Sequence, residues 1–234
     1  MTTAVVLATT GCAVWRIGQS AELARLSEPY QQTPAAPVLR LLVVGDSTAV
    51  GTGASSPAHS LAGLIGREHT ALLIENRARD GAKFADVLLQ LEGAAGFDMV
   101  LVQAGGNDVI RLRERDALAL DIDRVATAAA RVAPRVLLMP CGNVGNAPFF
   151  FAPVSWWMTR RSRALHMLVA ASARRSGATY INLFRERAAD PFVADPGLNA
   201  RDGLHPSDAG YRNWWQELKH QSGLDRELAP ARGL

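Results

Sequence analysis

Short aliphatic runs alternate with longer amphipathic segments between residues 39 and 220, and this alternation limits the fold more than any other feature of the chain. The aliphatic runs are Leu39–Val44, Ala71–Glu75, Met99–Gln103, Val136–Met139 and Ala178–Leu183. Helical spacing marks the segments Ser60–Glu68, Phe84–Leu91, Asp116–Val132, Thr159–Ser176 and Pro206–His220. Runs that are apolar on both faces and joined by helices indicate a parallel sheet covered on both sides. The sequence therefore predicts a three-layer α/β/α sandwich, whose last helix has Pro206 at its first position.

The composition fits one domain with a full-sized core. The chain has 234 residues, of which 48% are hydrophobic and 20% are charged, so a disordered chain is excluded. The net charge is only +3 and the basic residues are scattered, which gives no support to nucleic-acid binding. Two cysteines, Cys12 and Cys141, can build neither a disulfide scaffold nor a cysteine-ligated zinc site. The histidines and carboxylates also lack metal-ligand spacing, so we expect no metal and no cofactor.

The first 37 residues differ from the rest of the chain. Thr2–Trp15 is uncharged, but it is shorter than the roughly 20 apolar residues of a membrane-spanning helix. No Lys or Arg precedes it, as a signal peptide would require, so an export signal, an anchor remnant and a cytoplasmic location all stay open. Ser27–Pro37 contains three prolines and is typical of an extended linker. We expect this N-terminal region over residues 1–37, one folded domain over 38–222 and a C-terminal tail over 223–234.

Polar turns that contain glycine follow several of the predicted strands. They are Gly45-Asp46-Ser47-Thr48, the segment from Asn76 to Gly81, Ala104-Gly105-Gly106-Asn107-Asp108 and, after a long irregular segment, Asp202-Gly203-Leu204-His205-Pro206. In open parallel sheets, ligands bind at the carboxyl ends of the strands. We therefore expect these turns to meet at one edge of the sheet.

Three residues in these turns have the chemistry of an activated serine. A serine hydroxyl becomes a good nucleophile when a base takes its proton and a third group orients that base. Ser47 is the candidate nucleophile, His205 the base and Asp202 its orienting group. Taken singly, Ser47 is also consistent with a helix N-cap and His205 with a solvated helix start. The combination favours catalysis.

An attacked carbonyl becomes an oxyanion, which needs hydrogen-bond donors that are already in place. Removing one such donor has cost about 3–4 kcal/mol of barrier where it was tested. The available donors are the backbone N–H groups of Ser47 and Gly81 and the side-chain amide of Asn107. The glycine at position 81 also allows the backbone to approach a substrate closely.

The four turns resemble, in order and spacing, the four sequence blocks of the SGNH (GDSL) hydrolases. The resemblance covers residues 39–220 and implies a flavodoxin-like sheet of five parallel strands in the order 2-1-3-4-5. It implies that Ser47 is the nucleophile, and that Asp202 and His205 supply the orienting group and the base. Gly81 and Asn107 would complete the oxyanion hole. Gly93 and Gly96 stay open as alternatives to Gly81, because the second block is short.

The resemblance implies a serine-dependent ester hydrolase of the esterase or lipase type, which acts through an acyl-enzyme and needs neither cofactor nor metal. The expected partner is a small-molecule acyl ester. An acyltransferase, which passes the acyl group to an acceptor other than water, is the first alternative. A binding module without catalytic activity is the second.

An aromatic segment follows the fourth predicted strand. Its residues are Phe149, Phe150, Phe151, Trp156 and Trp157. They are candidates for an acyl pocket, a lid or a peripheral contact with a membrane. Packing of these aromatics into the core is the alternative. We interpret the histidines outside the turns as surface or boundary residues.

Overall fold

The computed structural model describes residues 15–224 and residue 228. Within them the chain forms a five-stranded sheet with the strand order β2-β1-β3-β4-β5, and every neighbouring pair is parallel. The strands are β1 Leu39–Gly45, β2 Leu72–Asn76, β3 Met99–Gln103, β4 Arg135–Leu138 and β5 Thr179–Tyr180. The predicted α/β/α fold and strand order are confirmed.

Helices cover both faces of the sheet. They are α1 over residues 15–26, α2 Ser47–Val50, α3 Leu61–Glu68, α4 Phe84–Leu91, α5 Gly106–Ile110, α6 Arg115–Val132, α7 Val154–Ser176, α8 Pro191–Ala194 and α9 Asp208–Ser222. Helices α4, α6 and α7 pack together in one layer, and α3 packs with α9 in the other. Residues 41–45 of β1 and all of β3 are buried, as expected for central strands with helices on both faces.

Most ends of the observed elements lie within one or two residues of the predicted ones, and three ends call for comment. Strand β5 ends at Tyr180. The Ile181 N–H still donates to the Leu138 carbonyl of β4 at 2.9 Å, but the Asn182 N–H donates to the Gln221 side chain at 2.7 Å. Helix α7 begins at Val154, five residues before the predicted start. Pro206 lies outside α9, since Ser207 is the N-cap and its hydroxyl accepts the Gly210 N–H. The prediction of Pro206 at the first helical position is therefore wrong.

The predicted linker is extended, and it is attached to the sheet. Gln32 forms an antiparallel bridge with Ile74 of β2, in which the two backbone N···O distances are 3.0 and 2.9 Å. This bridge covers part of an edge strand that would otherwise expose unpaired backbone groups. No helix among the described residues is both long and apolar enough to cross a membrane. Residues 1–14, which include Cys12 and all of the predicted apolar segment except Trp15, lie outside the described residues, as does most of the predicted C-terminal tail.

Candidate active site

Ser47 lies at the sharp turn from β1 into α2. Gly45 ends the strand with φ +148°, and a Cβ added there would lie 1.8 Å from the Gln103 carbonyl oxygen, so the turn requires glycine. Asp46 caps α2, because one of its oxygens accepts both the N–H and the hydroxyl of Thr48 at 2.9 and 2.7 Å. These contacts hold Ser47 at the carboxyl edge of the sheet as the first residue of the helix.

A series of hydrogen bonds links Ser47 to the loop before α9. His205 Nε2 lies 3.0 Å from Ser47 Oγ, and His205 Nδ1 lies 2.6 Å from Asp202 Oδ2. The other carboxylate oxygen of Asp202 accepts the backbone N–H groups of Leu204 and His205 at 3.0 and 3.1 Å. The structure therefore brings together the three residues that the sequence analysis selected for nucleophilic chemistry.

The ionisation of Asp202 decides the proton positions in this series. Burial, the largest influence, raises the pKa of Asp202, but the hydrogen bond and charge of His205, with the Leu204 N–H and the Ser20 hydroxyl, lower it to about 2. An ionised carboxylate can only accept hydrogen bonds. His205 Nδ1 therefore carries a proton, which leaves the neutral imidazole able to accept the Ser47 hydroxyl proton at Nε2.

The predicted oxyanion donors surround the same cavity as Ser47. Gly81 follows β2 with φ +76°, and Asn107 is the second residue of α5, directly after β3. Because β2 and β3 flank β1, both residues reach the edge where Ser47 lies. Gly81 is part of the cavity wall, whereas Gly93 and Gly96 are not among the residues that line it. The structure thus favours Gly81 among the three candidate glycines.

The cavity beside Ser47 has a volume of about 370 Å³. This volume lies within the range of about 300–1,000 Å³ that is common for small-molecule sites. Its apolar lining includes Ile17, Ala24, Ile110, Val144, Leu183, Phe192 and Trp214. Among the described residues, no group of three or more His, Cys, Asp or Glu side chains could hold a metal ion.

The aromatic segment lies outside this cavity. None of the five predicted aromatics is among its described lining residues. The rings of Phe149 and Phe150 pack edge to face, with 4.9 Å between their centroids, and Phe150 packs against the core. Phe151, Trp156 and Trp157 are exposed. The physical reason is that α7 begins at Val154 and carries both tryptophans in its first turn, away from the cavity. The prediction that these aromatics line an acyl pocket is therefore wrong for this cavity, whose walls are formed by other residues.

Helix α1 forms one of those walls, which the sequence analysis missed. Ile17, Ala21 and Ala24 line the cavity, and the Ser20 hydroxyl donates to Asp202 Oδ2 at 2.7 Å. Spacings of three and four residues are the signal that could have identified this helical face. The sequence analysis includes these residues in the N-terminal region over 1–37, between the apolar segment and the linker, and predicts no helix there.

Two buried titratable groups lie next to the site. Burial, with Asp46 and Asp121 nearby, raises the pKa of Asp108 to about 6, although its carboxylate accepts the Phe84 N–H at 3.1 Å. Burial lowers the pKa of His166 to about 4, and its ring nitrogens contact the Cys141 carbonyl and the Tyr180 hydroxyl at 2.7 Å each. His166 is thus a core histidine, and its interpretation as a surface or boundary residue is wrong.

Comparison with known proteins places this arrangement in a family. The sequence model of the GDSL-like lipase/acylhydrolase family matches residues 43–212. The structure resembles LAE5, an alpha/beta hydrolase from the metagenome of Lake Arreo, Spain, with a TM-score of 0.64 and 17% identity over 80% of this chain and 96% of that one. It also resembles TesA, with a TM-score of 0.63 and 22% identity over 81% and 99% of the two chains.

A lipase/acylhydrolase from Enterococcus faecalis has a TM-score of 0.61 and 19% identity over 84% of this chain and 100% of its own. These identities are low, so the structural likenesses support the fold. No curated protein matches the sequence. The family match spans most of the chain and includes Ser47, Asn107 and His205. The chain therefore belongs to the GDSL-like lipase/acylhydrolase family.

Proposed function

We propose that this protein is a serine-dependent carboxylic-ester hydrolase that acts through an acyl-enzyme. The observation that carries the proposal is the unbroken hydrogen-bond series from Ser47 Oγ through His205 to Asp202, with distances of 3.0 and 2.6 Å. The series opens onto a cavity that also contains Gly81 and Asn107. A nucleophile, a base with a defined tautomer and nearby oxyanion donors are the parts that acyl transfer requires.

In the first half of the reaction, His205 Nε2 accepts the Ser47 proton while Ser47 Oγ bonds to the ester carbonyl carbon. The carbonyl π electrons move to the oxygen, and the N–H groups of Ser47 and Gly81 with the Asn107 amide stabilise the resulting oxyanion. Collapse of this tetrahedral intermediate breaks the bond to the alcohol oxygen. His205 gives its proton to that oxygen, and the acyl group stays on Ser47 as an ester.

In the second half, His205 accepts a proton from water, whose oxygen attacks the acyl carbon. The second intermediate expels Ser47 Oγ, which regains its proton from His205, and the carboxylic acid leaves. Asp202 stays ionised throughout, since its low pKa keeps it from taking the Nδ1 proton. Its function is to orient the imidazole and to stabilise the imidazolium of each intermediate.

The cavity supports acyl groups longer than acetyl. Its aliphatic and aromatic lining comes from α1, α5 and α9 and from the segments after β4 and β5. An alkyl chain that enters such a lining leaves water, which is worth about 0.8 kcal/mol per buried methylene group. The proposed substrates are therefore esters of aliphatic acids.

Replacing Ser47 by Ala tests the reaction. We expect kcat/KM for short acyl esters to fall by a factor on the order of 10⁴–10⁶, while the folded structure is retained. Ser55→Ala is the matched control, because Ser55 also contacts a histidine and an aspartate, His59 and Asp208, at 2.8 and 2.7 Å.

A serine-directed organophosphonate should label Ser47 and leave Ser55 free. Hydrolysis that survives in the Ser47 variant would contradict the proposal. Product analysis with added alcohols separates hydrolysis from acyl transfer, since a transferase forms the new ester in preference to the free acid.

A further inference from the structure

Helix α1 contacts the proposed catalytic residues directly. The Ser20 hydroxyl donates to Asp202 Oδ2 at 2.7 Å, and this is the same oxygen that accepts the His205 Nδ1–H at 2.6 Å. Ser20 lies 182 residues away from Asp202 in the sequence. The contact therefore depends on how α1 is fixed against the domain.

Contacts on both sides of Ser20 hold α1 against two loops of the site, the segment after β4 and the loop that carries Asp202. The Arg16 guanidinium donates to the Pro148 carbonyl and lies 4.8 Å from the centroid of the Phe151 ring. Glu22 forms an ion pair with Arg201, beside Asp202, at 3.1 Å. Each of these exposed contacts is weak by itself, but together they fix the position and rotation of the helix.

The two loops also bond to each other. Phe149 N–H donates to the Gly203 carbonyl at 2.9 Å, so the segment after β4 and the loop that carries Asp202 form one surface under α1. Ser20 is the residue of α1 that donates a hydrogen bond to the Asp202 carboxylate in this surface. It is half-buried, and Asp202 is fully buried, so the bond is shielded from water.

The acceptor positions of Asp202 explain what this bond does. Oδ1 accepts two backbone N–H groups, from Leu204 and His205. Oδ2 accepts the His205 ring N–H and the Ser20 hydroxyl. A carboxylate has about four such positions, so all are occupied and its plane is fixed. Without Ser20, Oδ2 would keep a single donor, the imidazole that the carboxylate has to orient.

We propose that Ser20 is a positioning residue for the ester hydrolase, which acts through Asp202 on the orientation and basicity of His205. The inference rests on the proposed function of Ser47 and His205. By donating to Oδ2, Ser20 restrains the carboxylate and withdraws part of its negative charge. Asp202 then holds the imidazole in line with Ser47 without binding the Nδ1 proton too tightly.

The test compares Ser20→Thr with Ser20→Val, two side chains of the same shape that differ in the hydroxyl. We expect the Val variant to lose about tenfold in kcat with little change in KM, since the lost bond joins a hydroxyl to a charged group. The acid limb of its kcat/KM profile should move to higher pH by a few tenths of a unit. The reason is that a carboxylate with fewer donors attracts the imidazole protons more strongly. The Thr variant should keep both properties of the wild type.

Ser27→Ala, directly after the last residue of α1, is the control, because the Ser27 hydroxyl donates to the Leu23 carbonyl and not to the site. Equal kcat and equal pH profiles in the Thr and Val variants would overturn the inference. A lower kcat in the Val variant with an unmoved acid limb and a lower melting temperature would also overturn it, since helix packing alone would explain that result.

A second readout does not need turnover. The low-field proton NMR signal of the His205–Asp202 hydrogen bond should shift in the Val variant and not in the Thr variant. If wild-type protein hydrolyses no ester through Ser47, the proposed function fails, and the NMR comparison still decides whether Ser20 acts on Asp202. An unchanged signal in both variants would contradict the inference.

Discussion

Asp202 shows how a single carboxylate can define the protonation of a whole site. Four donors surround its two oxygens. The hydrogen bond and charge of His205, with the Leu204 N–H and the Ser20 hydroxyl, outweigh burial and lower its pKa to about 2. Because the carboxylate stays ionised, the proton of His205 lies on Nδ1 over the pH range in which the imidazole is neutral. The free Nε2 then faces Ser47, so the site needs no rearrangement before the hydroxyl is deprotonated.

Asn107 offers a test of the oxyanion interaction. We expect Asn107→Ala to lower kcat by about 10²–10³ with little change in KM, because the lost donor acts on a charge that is present only in the transition state. Asn107→Asp should be worse than Asn107→Ala, since a carboxylate would repel the oxyanion. Steady-state kinetics on one ester measures both variants. An Asp variant as active as the Ala variant would contradict a role for the amide in binding negative charge.

The sequence predicted the neighbours of Ser47 better than those of Asp202. Ser47 and Asn107 follow the ends of β1 and β3, and the parallel fold brings strand ends to one edge. Asp202 precedes His205 by three residues, so their proximity is local. Ser20 has neither property: it lies in a helix outside the sheet, and its partner is in the last quarter of the chain. Such a contact depends on tertiary packing that no local pattern encodes.

At the scale of elements, the central strands were predictable because they are continuous aliphatic runs. Helix α4 has the predicted bounds, since its apolar positions are regularly spaced. Helix α1 was not predicted, because three of its four cavity-lining residues, Ser20, Ala21 and Ala24, are small. Strand β5 is shorter than its apolar run suggests. The aromatics after β4 were candidates for an acyl pocket, a lid or a membrane contact, and the start of α7 leaves its two tryptophans exposed to solvent.

The wall formed by α1 predicts how chain length is selected. Ala24 lines the cavity, so Ala24→Leu should reduce the space for the acyl chain. We expect activity on dodecanoate esters to fall about tenfold relative to butyrate esters, which corresponds to excluding about two methylene groups. Trp156→Ala is the control, because Trp156 is 72% exposed and lies outside the cavity lining. An unchanged ratio of the two activities in the Ala24 variant would show that acyl chains bind elsewhere.

For the molecule as a whole, Asp108 connects the site to the stability of the fold. The pKa of Asp108 is raised from 3.8 to about 6, mainly because burial disfavours its charge. Between these pH values the folded protein binds more protons than the unfolded chain, so this group makes the free energy of unfolding fall as the pH rises. The amount is on the order of 2–3 kcal/mol between pH 4 and pH 7. The contribution of Asp202 to the free energy of unfolding depends on pH in the opposite direction, because its pKa is lowered from 3.8 to about 2. It stabilises the fold above pH 4, and that contribution is lost towards pH 2.

Asp108→Asn should remove the pH dependence of stability that Asp108 causes, because the amide does not titrate and its oxygen can still accept the Phe84 N–H. We expect the variant to gain stability relative to the wild type as the pH is raised from 4.5 to 8, measured by urea unfolding at several pH values. Parallel stability curves for the two proteins over this range would show that Asp108 does not titrate abnormally. Because the wild type and the variant are compared at the same pH, the contributions of other groups that titrate in both proteins cancel.

Helix α1 also decides where the chain can be shortened. The family match begins at residue 43, so a cloning boundary just ahead of β1, at residue 38, would retain all of it. Cleavage there would open the cavity along the side that Ile17, Ala21 and Ala24 close, and it would take away one of the four donors to Asp202. Proteolytic maturation that preserves this pocket has to cut ahead of Arg16, and recombinant versions of the protein should keep the same residues.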